Sequence, residues 1–246
     1  MKILSIGNSF SEDAQAYLYD IARADKYDLY TNNLYIGGCP LAIHYKNMLS
    51  KEPAYLFQVN GHNTYIKISL EEALCKNQWD VITVQQASHY SPYYDTYQPY
   101  LDGLLEKVRM YDPKVKIAVH QTWSYEEDSK RLTEELGYKH HEDMFSDVKV
   151  SYQKAYDAIG ADIMIPSGEL FENLLSSGIK KVHRDTFHAS YGLGRYAIGL
   201  LWYTVLTGND ITNNTFCNFD EEVTHEEVAI AKKCVKEVAK MYNKGR

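Results

Sequence analysis

Two segments at opposite ends of the chain hold side chains suited to acyl transfer. The first is Gly7-Asn8-Ser9-Phe10-Ser11, which follows the apolar run Lys2 to Ile6 directly. A serine hydroxyl is a weak nucleophile near neutral pH and needs a base to take its proton. At the end of a strand, Gly7 lets the backbone turn sharply, and the free N–H groups of a following helix can face a developing negative charge. The same residues also fit a plain strand-to-helix turn with Ser9 or Ser11 as the N-cap. The second segment is Arg184-Asp185-Thr186-Phe187-His188-Ala189-Ser190. An Asp three residues before a His can bring its carboxylate to Nδ1 while Nε2 points outward, as a base paired with its orienting acid requires. Helix capping by Asp185 and a structural His188 fit this segment equally. Metal binding is a third use for histidine, but the other eight show no H-E-x-x-H or comparable spacing. The adjacent pair His140-His141 lies in a charged stretch and reads as solvated.

A parallel sheet covered by helices must bring these segments together. Apolar strand-like runs alternate with amphipathic stretches, the pattern of an α/β/α sandwich. Lys2 to Ile6 is the first strand, Glu12 to Ala24 the first helix and Asp28 to Tyr35 the second strand. That strand ends in the tight turn Gly37-Gly38-Cys39-Pro40, with a helix over Leu41 to Leu49. Tyr55 to Ile68 departs from the pattern: Asn60-Gly61 carries a hairpin signal, and Thr64 to Ile68 alternates like an exposed strand. It reads as a small β-hairpin insertion. Asp80 to Gln85, Val115 to His120 and Asp162 to Ile165 complete five parallel strands, each followed by polar or aromatic residues instead of an immediate helix. Their loops leave the sheet edge where ligands bind in open α/β sheets. The charged stretch from Glu126 to Ile159 reads as one or two surface helices broken at Gly137, and helices over Tyr191 to Thr207 and Glu222 to Tyr242 close the chain. No repeat or linker divides it, so residues 1–246 are expected to form a single domain.

Composition narrows the function classes. With 26 Lys and Arg against 33 Asp and Glu, the net charge of −7 argues against nucleic acid and anionic membranes as partners. Four scattered cysteines make neither a zinc knuckle nor a disulfide scaffold. No apolar run approaches the roughly 20 residues of a membrane span. Met-Lys running straight into a strand is unlike a signal peptide. As written, the protein is expected in the cytoplasm, with export only if a leader once preceded this sequence. Five of the 22 tyrosines, Tyr90, Tyr93, Tyr94, Tyr97 and Tyr100, crowd one loop. Aromatic rings there could stack on sugar faces or pack on one another.

Taken jointly, Gly-Asn-Ser-Phe-Ser after the first strand, Gly-Gly after the second, Gln-Gln after the third and Asp-x-x-His before the last helices resemble the SGNH (GDSL-like) hydrolase superfamily. Within it the chain is most similar to a branch of bacterial DUF4886-like proteins that begin with a GNSFS-type block. The resemblance implies a three-layer, flavodoxin-like α/β/α fold with a five-stranded parallel sheet. It makes Ser9 the nucleophile, His188 the general base and Asp185 its orienting carboxylate, with the N–H groups of Ser9 and Gly38 as oxyanion donors. The superfamily's Gly-x-Asn-Asp block is absent; Val84-Gln85-Gln86-Ala87-Ser88-His89 stands there, so a third donor falls to Gln85 or Gln86, with Gln85 favoured. His44, Trp123 and Arg184 would face the same crevice as substrate-binding walls.

The activity implied is hydrolysis of an acyl ester, most simply an acetyl group on a carbohydrate, through an acyl-enzyme and without metal or cofactor. The partner would be a small-molecule or carbohydrate ester. A lipase or thioesterase with the same triad, and an idle glycan-binding protein on this scaffold, are the competing readings. The oligomeric state is not encoded in any motif.

Overall fold

The computed structural model describes residues 1–242. Seven strands form one sheet: β1 (Lys2–Gly7), β2 (Tyr30–Tyr35), β3 (Tyr55–Val59), β4 (His62–Ile68), β5 (Val81–Val84), β6 (Lys116–Gln121) and β7 (Ile163–Pro166). Their order is β4-β3-β2-β1-β5-β6-β7. The five strands expected to be parallel are parallel, with β1 flanked by β2 and β5. The central strands are short and apolar on both faces because helices cover both. Every residue of β5 and β7 is buried.

The hairpin is less separate than the sequence implied. Strand β3 pairs antiparallel with β2, Asn32 opposite Val59, so the hairpin extends the sheet to seven strands. Asn60 and Gly61 both take positive φ, 51° and 80°, as a two-residue hairpin turn that follows the sheet's twist requires. A side chain at Gly61 would also strike the Ala16 carbonyl at 2.7 Å.

One face of the sheet carries α1 (Ser9–Gln15), α2 (Leu18–Ala24), α7 (Ser167–Ser176), α8 (Leu193–Thr207) and α9 (His225–Tyr242). The other carries α3 (Leu41–Ser50), α4 (Leu70–Lys76), α5 (Tyr100–Tyr111) and α6 (His141–Ile159). The single helix expected over Glu12 to Ala24 is two, broken at Ala16-Tyr17. The break sends the Tyr17 hydroxyl to Asp220 Oδ2 at 2.8 Å and to the Tyr191 carbonyl at 2.5 Å. A second correction concerns β7, which passes with no loop into α7. The charged stretch holds a π-helical turn, Arg131–Glu135, before Gly137 (φ 77°) and α6. Helix α6 is not merely a surface element: Met144, Val148, Tyr152 and Ala155 are fully buried along one stripe. Among the described residues no helix is long and apolar enough to cross a membrane.

Candidate active site

The carboxyl ends of β1, β2 and β5 finish together, because Gly7 pairs with Tyr35 and Ile6 with Val84. At that edge Ser9 is the first residue of α1. Asn8 is its N-cap, the side-chain oxygen accepting from the Phe10 N–H at 3.0 Å. Gly7 is required here: a Cβ would lie 2.1 Å from Ser11 Oγ. Ser11 itself is fully buried, donating to Asn8 O and bonded to Asn33, so of the two hydroxyls only that of Ser9 opens toward a base.

The imidazole that Ser9 faces belongs to His188. Its Nε2 lies 2.7 Å from Ser9 Oγ, its Nδ1 2.8 Å from Asp185 Oδ2, and its backbone N–H donates to Asp185 Oδ1 at 3.0 Å. A carboxylate can only accept, so it fixes the proton on Nδ1 and leaves Nε2 free to receive the serine proton. Partial burial pushes the Asp185 carboxyl up, but the hydrogen bonds from His188, its charge and that of Arg184 outweigh burial and hold it below the ordinary carboxylate value. The ring of Phe187, 3.9 Å from that of His188, backs the imidazole.

An ion cluster secures this loop to the helix that carries the serine. Asp13, one turn after Ser9 and fully buried, is contacted by Arg184 Nη1 at 2.9 Å, Arg195 Nε at 2.9 Å and the Ala189 N–H at 3.1 Å. Arg184 Nη1 also donates to the Ala189 carbonyl. Expected as a pocket wall, Arg184 instead turns inward to this carboxylate. It positions the loop from beneath.

The other two expected walls are buried as well. Trp123 has no exposed surface; it stacks between Phe10 (4.2 Å) and Phe171 (4.6 Å) and donates to the Phe187 carbonyl at 2.8 Å. It is a floor under the site. His44 lies inside, its Nδ1 3.2 Å from the Tyr55 hydroxyl, and burial pushes its imidazole down to about 3.

Gly38 sits in the turn after β2 with φ 62°, exposed, and a side chain there would meet nothing. Its open backbone and the unbonded first-turn N–H of Ser9 border one cavity. The glutamines do not reach it. Gln85 Nε2 donates to Asn8 Oδ1 at 2.6 Å and its Oε1 faces His120 Nδ1 at 2.7 Å. Gln86 Nε2 donates to the carbonyl and hydroxyl of Thr96, while its Oε1 accepts from the N–H groups of Leu41 and Ala87. Both side chains are buried and hydrogen-bonded through oxygen and nitrogen, and neither lines the cavity, so the placement of either amide as a third donor is corrected. Gln85 braces Asn8, whose Nδ2 in turn donates to the Cys39 carbonyl of the Gly-Gly turn at 3.2 Å.

The cavity over Ser9 has a volume of about 280 Å³. Its lining includes Tyr35, Gly37 and Gly38, Ser88 and His89, and the contiguous stack of Arg131, Phe187 and His188. Burial, then the nearby Arg131 charge, hold His89 below its ordinary value. Sequence reasoning missed Tyr35, Ser88, His89, Phe187 and Arg131 as walls. Phe187 was within reach, as the neighbour of His188; nothing local marks Arg131, which lies in the charged stretch. None of the five loop tyrosines lines the cavity. Tyr97 is buried, and Tyr90 packs on His89 with ring centroids 4.3 Å apart.

Away from the cavity, Glu127, His140 and Glu142 place ligand-type atoms within 4.8 Å of one another, all exposed. His140 Nδ1 is paired with Glu127 Oε1 at 2.8 Å. His141 departs from the solvated reading: it is largely covered and faces Glu172.

Residues 2–238 match the family model described as domain of unknown function DUF4886. A DUF4886 family protein from Bacteroides uniformis superposes with a TM-score of 0.91 at 29% identity, over 98% of this chain and 95% of that one. A proposed SGNH hydrolase from Slackia heliotrinireducens gives 0.61 at 20% identity, over 84% of this chain and 98% of that one. The acetylxylan esterase Axe2 from Geobacillus stearothermophilus gives 0.53 at 13% identity, over 83% and 91%. No curated protein matches the chain. At those identities the last two establish a shared fold, the three-layer α/β architecture of the SGNH hydrolases.

Proposed function

The chain belongs to the DUF4886 family, and from that premise we propose that it is a serine esterase that removes a short acyl group through an acyl-enzyme. The observation that carries this reading is the unbroken line from Ser9 Oγ to His188 to Asp185, opening on a cavity bordered by Gly38. In this reading Ser9 Oγ attacks the ester carbonyl as His188 Nε2 takes its proton. Asp185 stabilises the imidazolium that forms, and the N–H groups of Ser9 and Gly38 receive the charge on the carbonyl oxygen. His188 then gives the proton to the departing alcohol. Water, activated by the same imidazole, releases the acid and restores the serine.

The cavity's size favours a short acyl group such as acetyl over a long chain, whose hydrocarbon would need a longer apolar channel. A carbohydrate alcohol fits its mixed wall of Tyr35, Ser88 and His89, and Axe2 is a neighbour on this fold named for an acetylated carbohydrate. The reading calls on no metal or cofactor. Hydrolysis of 4-nitrophenyl acetate tests it. The expected result is saturable turnover with a burst of nitrophenol; a folded protein that gives no release above buffer would refute it.

A further inference from the structure

The cavity over Ser9 is lined by a guanidinium and by no carboxylate, although acidic residues outnumber basic ones in the chain. Arg131 is half-buried in its wall, with its guanidinium 4.0 Å from the centroid of the Phe187 ring. Among the described residues it makes no ion pair; Glu135, four residues on, does not close on it, whereas Arg184 and Arg195 are both paired with Asp13. A guanidinium without a carboxylate partner, held against a ring face in a concave site, creates a positive potential that a substrate anion can satisfy.

The stacking order says which half of the ester meets it. Arg131 rests on Phe187, and Phe187 rests on His188, so guanidinium and imidazole share one wall of the cavity. His188 must deliver a proton to the departing alcohol, which therefore lies along that wall. We propose that Arg131 is a specificity residue that binds a carboxylate on the alcohol half of the ester, as an O-acylated acidic sugar would present. This rests on the serine-esterase reading of the site. A planar carboxylate matches the guanidinium fork, and a neutral alcohol would leave the charge uncompensated.

A matched pair of esters tests it: 3-acetoxybenzoate, anionic on the alcohol half, and the neutral 3-acetoxybenzamide. The wild-type kcat/KM should favour the anion by about tenfold or more. Arg131→Gln should bring that ratio to near one, and Arg131→Lys should restore part of it. A ratio near one in the wild type, or a ratio that survives Arg131→Gln, would overturn the proposal, since a mere prop for Phe187 would slow both esters alike. Mono-4-nitrophenyl succinate, anionic on the acyl half, provides the control. An Arg131-dependent preference for it over 4-nitrophenyl acetate, in place of the alcohol-half preference, overturns the assignment of halves.

Binding separates this proposal from the catalytic one. Calorimetry on Ser9→Ala should show binding of 3-acetoxybenzoate that weakens about tenfold in Ser9→Ala with Arg131→Gln. That result supports Arg131 even if 4-nitrophenyl acetate is left intact, which would sink only the esterase reading. Equal affinity in the two variants overturns the Arg131 assignment whatever the turnover.

Discussion

Among the described residues there are two serine–histidine hydrogen bonds, and only one has the surroundings of a catalytic pair. Ser9 and His188 meet at 2.7 Å at the open edge of the sheet; Ser167 and His120 meet at 3.0 Å with no exposed surface on either. The difference lies in what each Nδ1 faces. For His188 it is the Asp185 carboxylate, which can compensate an imidazolium. For His120 it is the neutral Gln85 amide at 2.7 Å, and burial alone pushes the ring down to about 3. The inner ring therefore stays neutral and links Gln85 to the start of α7, while the outer one can cycle its charge. A serine beside a histidine is thus a structural joint or a nucleophile according to the counter-charge, the access and the nearby N–H donors.

The largest contrast should come from the two serines. Ser9→Ala is expected to lower turnover of 4-nitrophenyl acetate by about 10⁴-fold or more with little change in melting temperature. Ser167→Ala should leave turnover within a few-fold and cost about 1 kcal/mol of stability, the value of one lost hydrogen bond. Steady-state rates and thermal melts on both variants check this. Equal losses of activity would erase the distinction.

Replacing the counter-charge sharpens it further. Asp185→Asn keeps the size of the side chain and removes the compensation for the imidazolium, which should reduce kcat by about 10³- to 10⁴-fold. A rate near wild type would mean that the outer histidine works no differently from the inner one.

The outer pair also depends on an anchor that the inner pair obtains from the core. Asp13→Ala would leave Arg184 and Arg195, both largely covered, without their shared carboxylate, at a cost of about 3 kcal/mol. Chemical denaturation measures it, and a loss below 1 kcal/mol would show that the cluster is not what holds the loop.

Taken per pH unit, the smallest expected effect is on acid stability. His120 and His44 have folded values of about 3, below the ordinary 6.5 of an unfolded chain. Between those limits the unfolded chain binds more protons, so stability is fully present above about pH 6.5 and falls as pH drops toward 3. The slope is at most about 1.4 kcal/mol per pH unit for each ring. Replacing His120 by Gln should flatten a denaturation series across that range. An unchanged slope would remove His120 as a source.

How much of this was readable beforehand depended on whether the signal was local. The five parallel strands followed from alternating apolar runs, and the segments containing Ser9 and Asp185–His188 carry their chemistry within a few neighbours. Gly7 and Gly38 were visible as turns because backbone freedom is a property of the residue itself. Burial was harder. His44, Trp123 and Arg184 lie near the crevice in sequence terms, but each turns inward toward a partner distant in sequence: Tyr55, Phe171 and Asp13. The Gln85–Gln86 pair misled for a related reason. Its strand does end at the sheet edge, yet Asn8 and His120, on two neighbouring strands' ends, capture the Gln85 amide before it can reach the cavity. Arg131 gave no signal at all, since its role depends on a π-helical turn folding over Phe187.

The central claim is that Ser9 alone among the serines is activated. Treating the folded protein with a fluorophosphonate probe and locating the adduct by peptide mass spectrometry tests it directly. The account predicts one adduct on Ser9, retained in Ser167→Ala and lost in Ser9→Ala. A protein left unlabelled, or labelled at another serine, would contradict it.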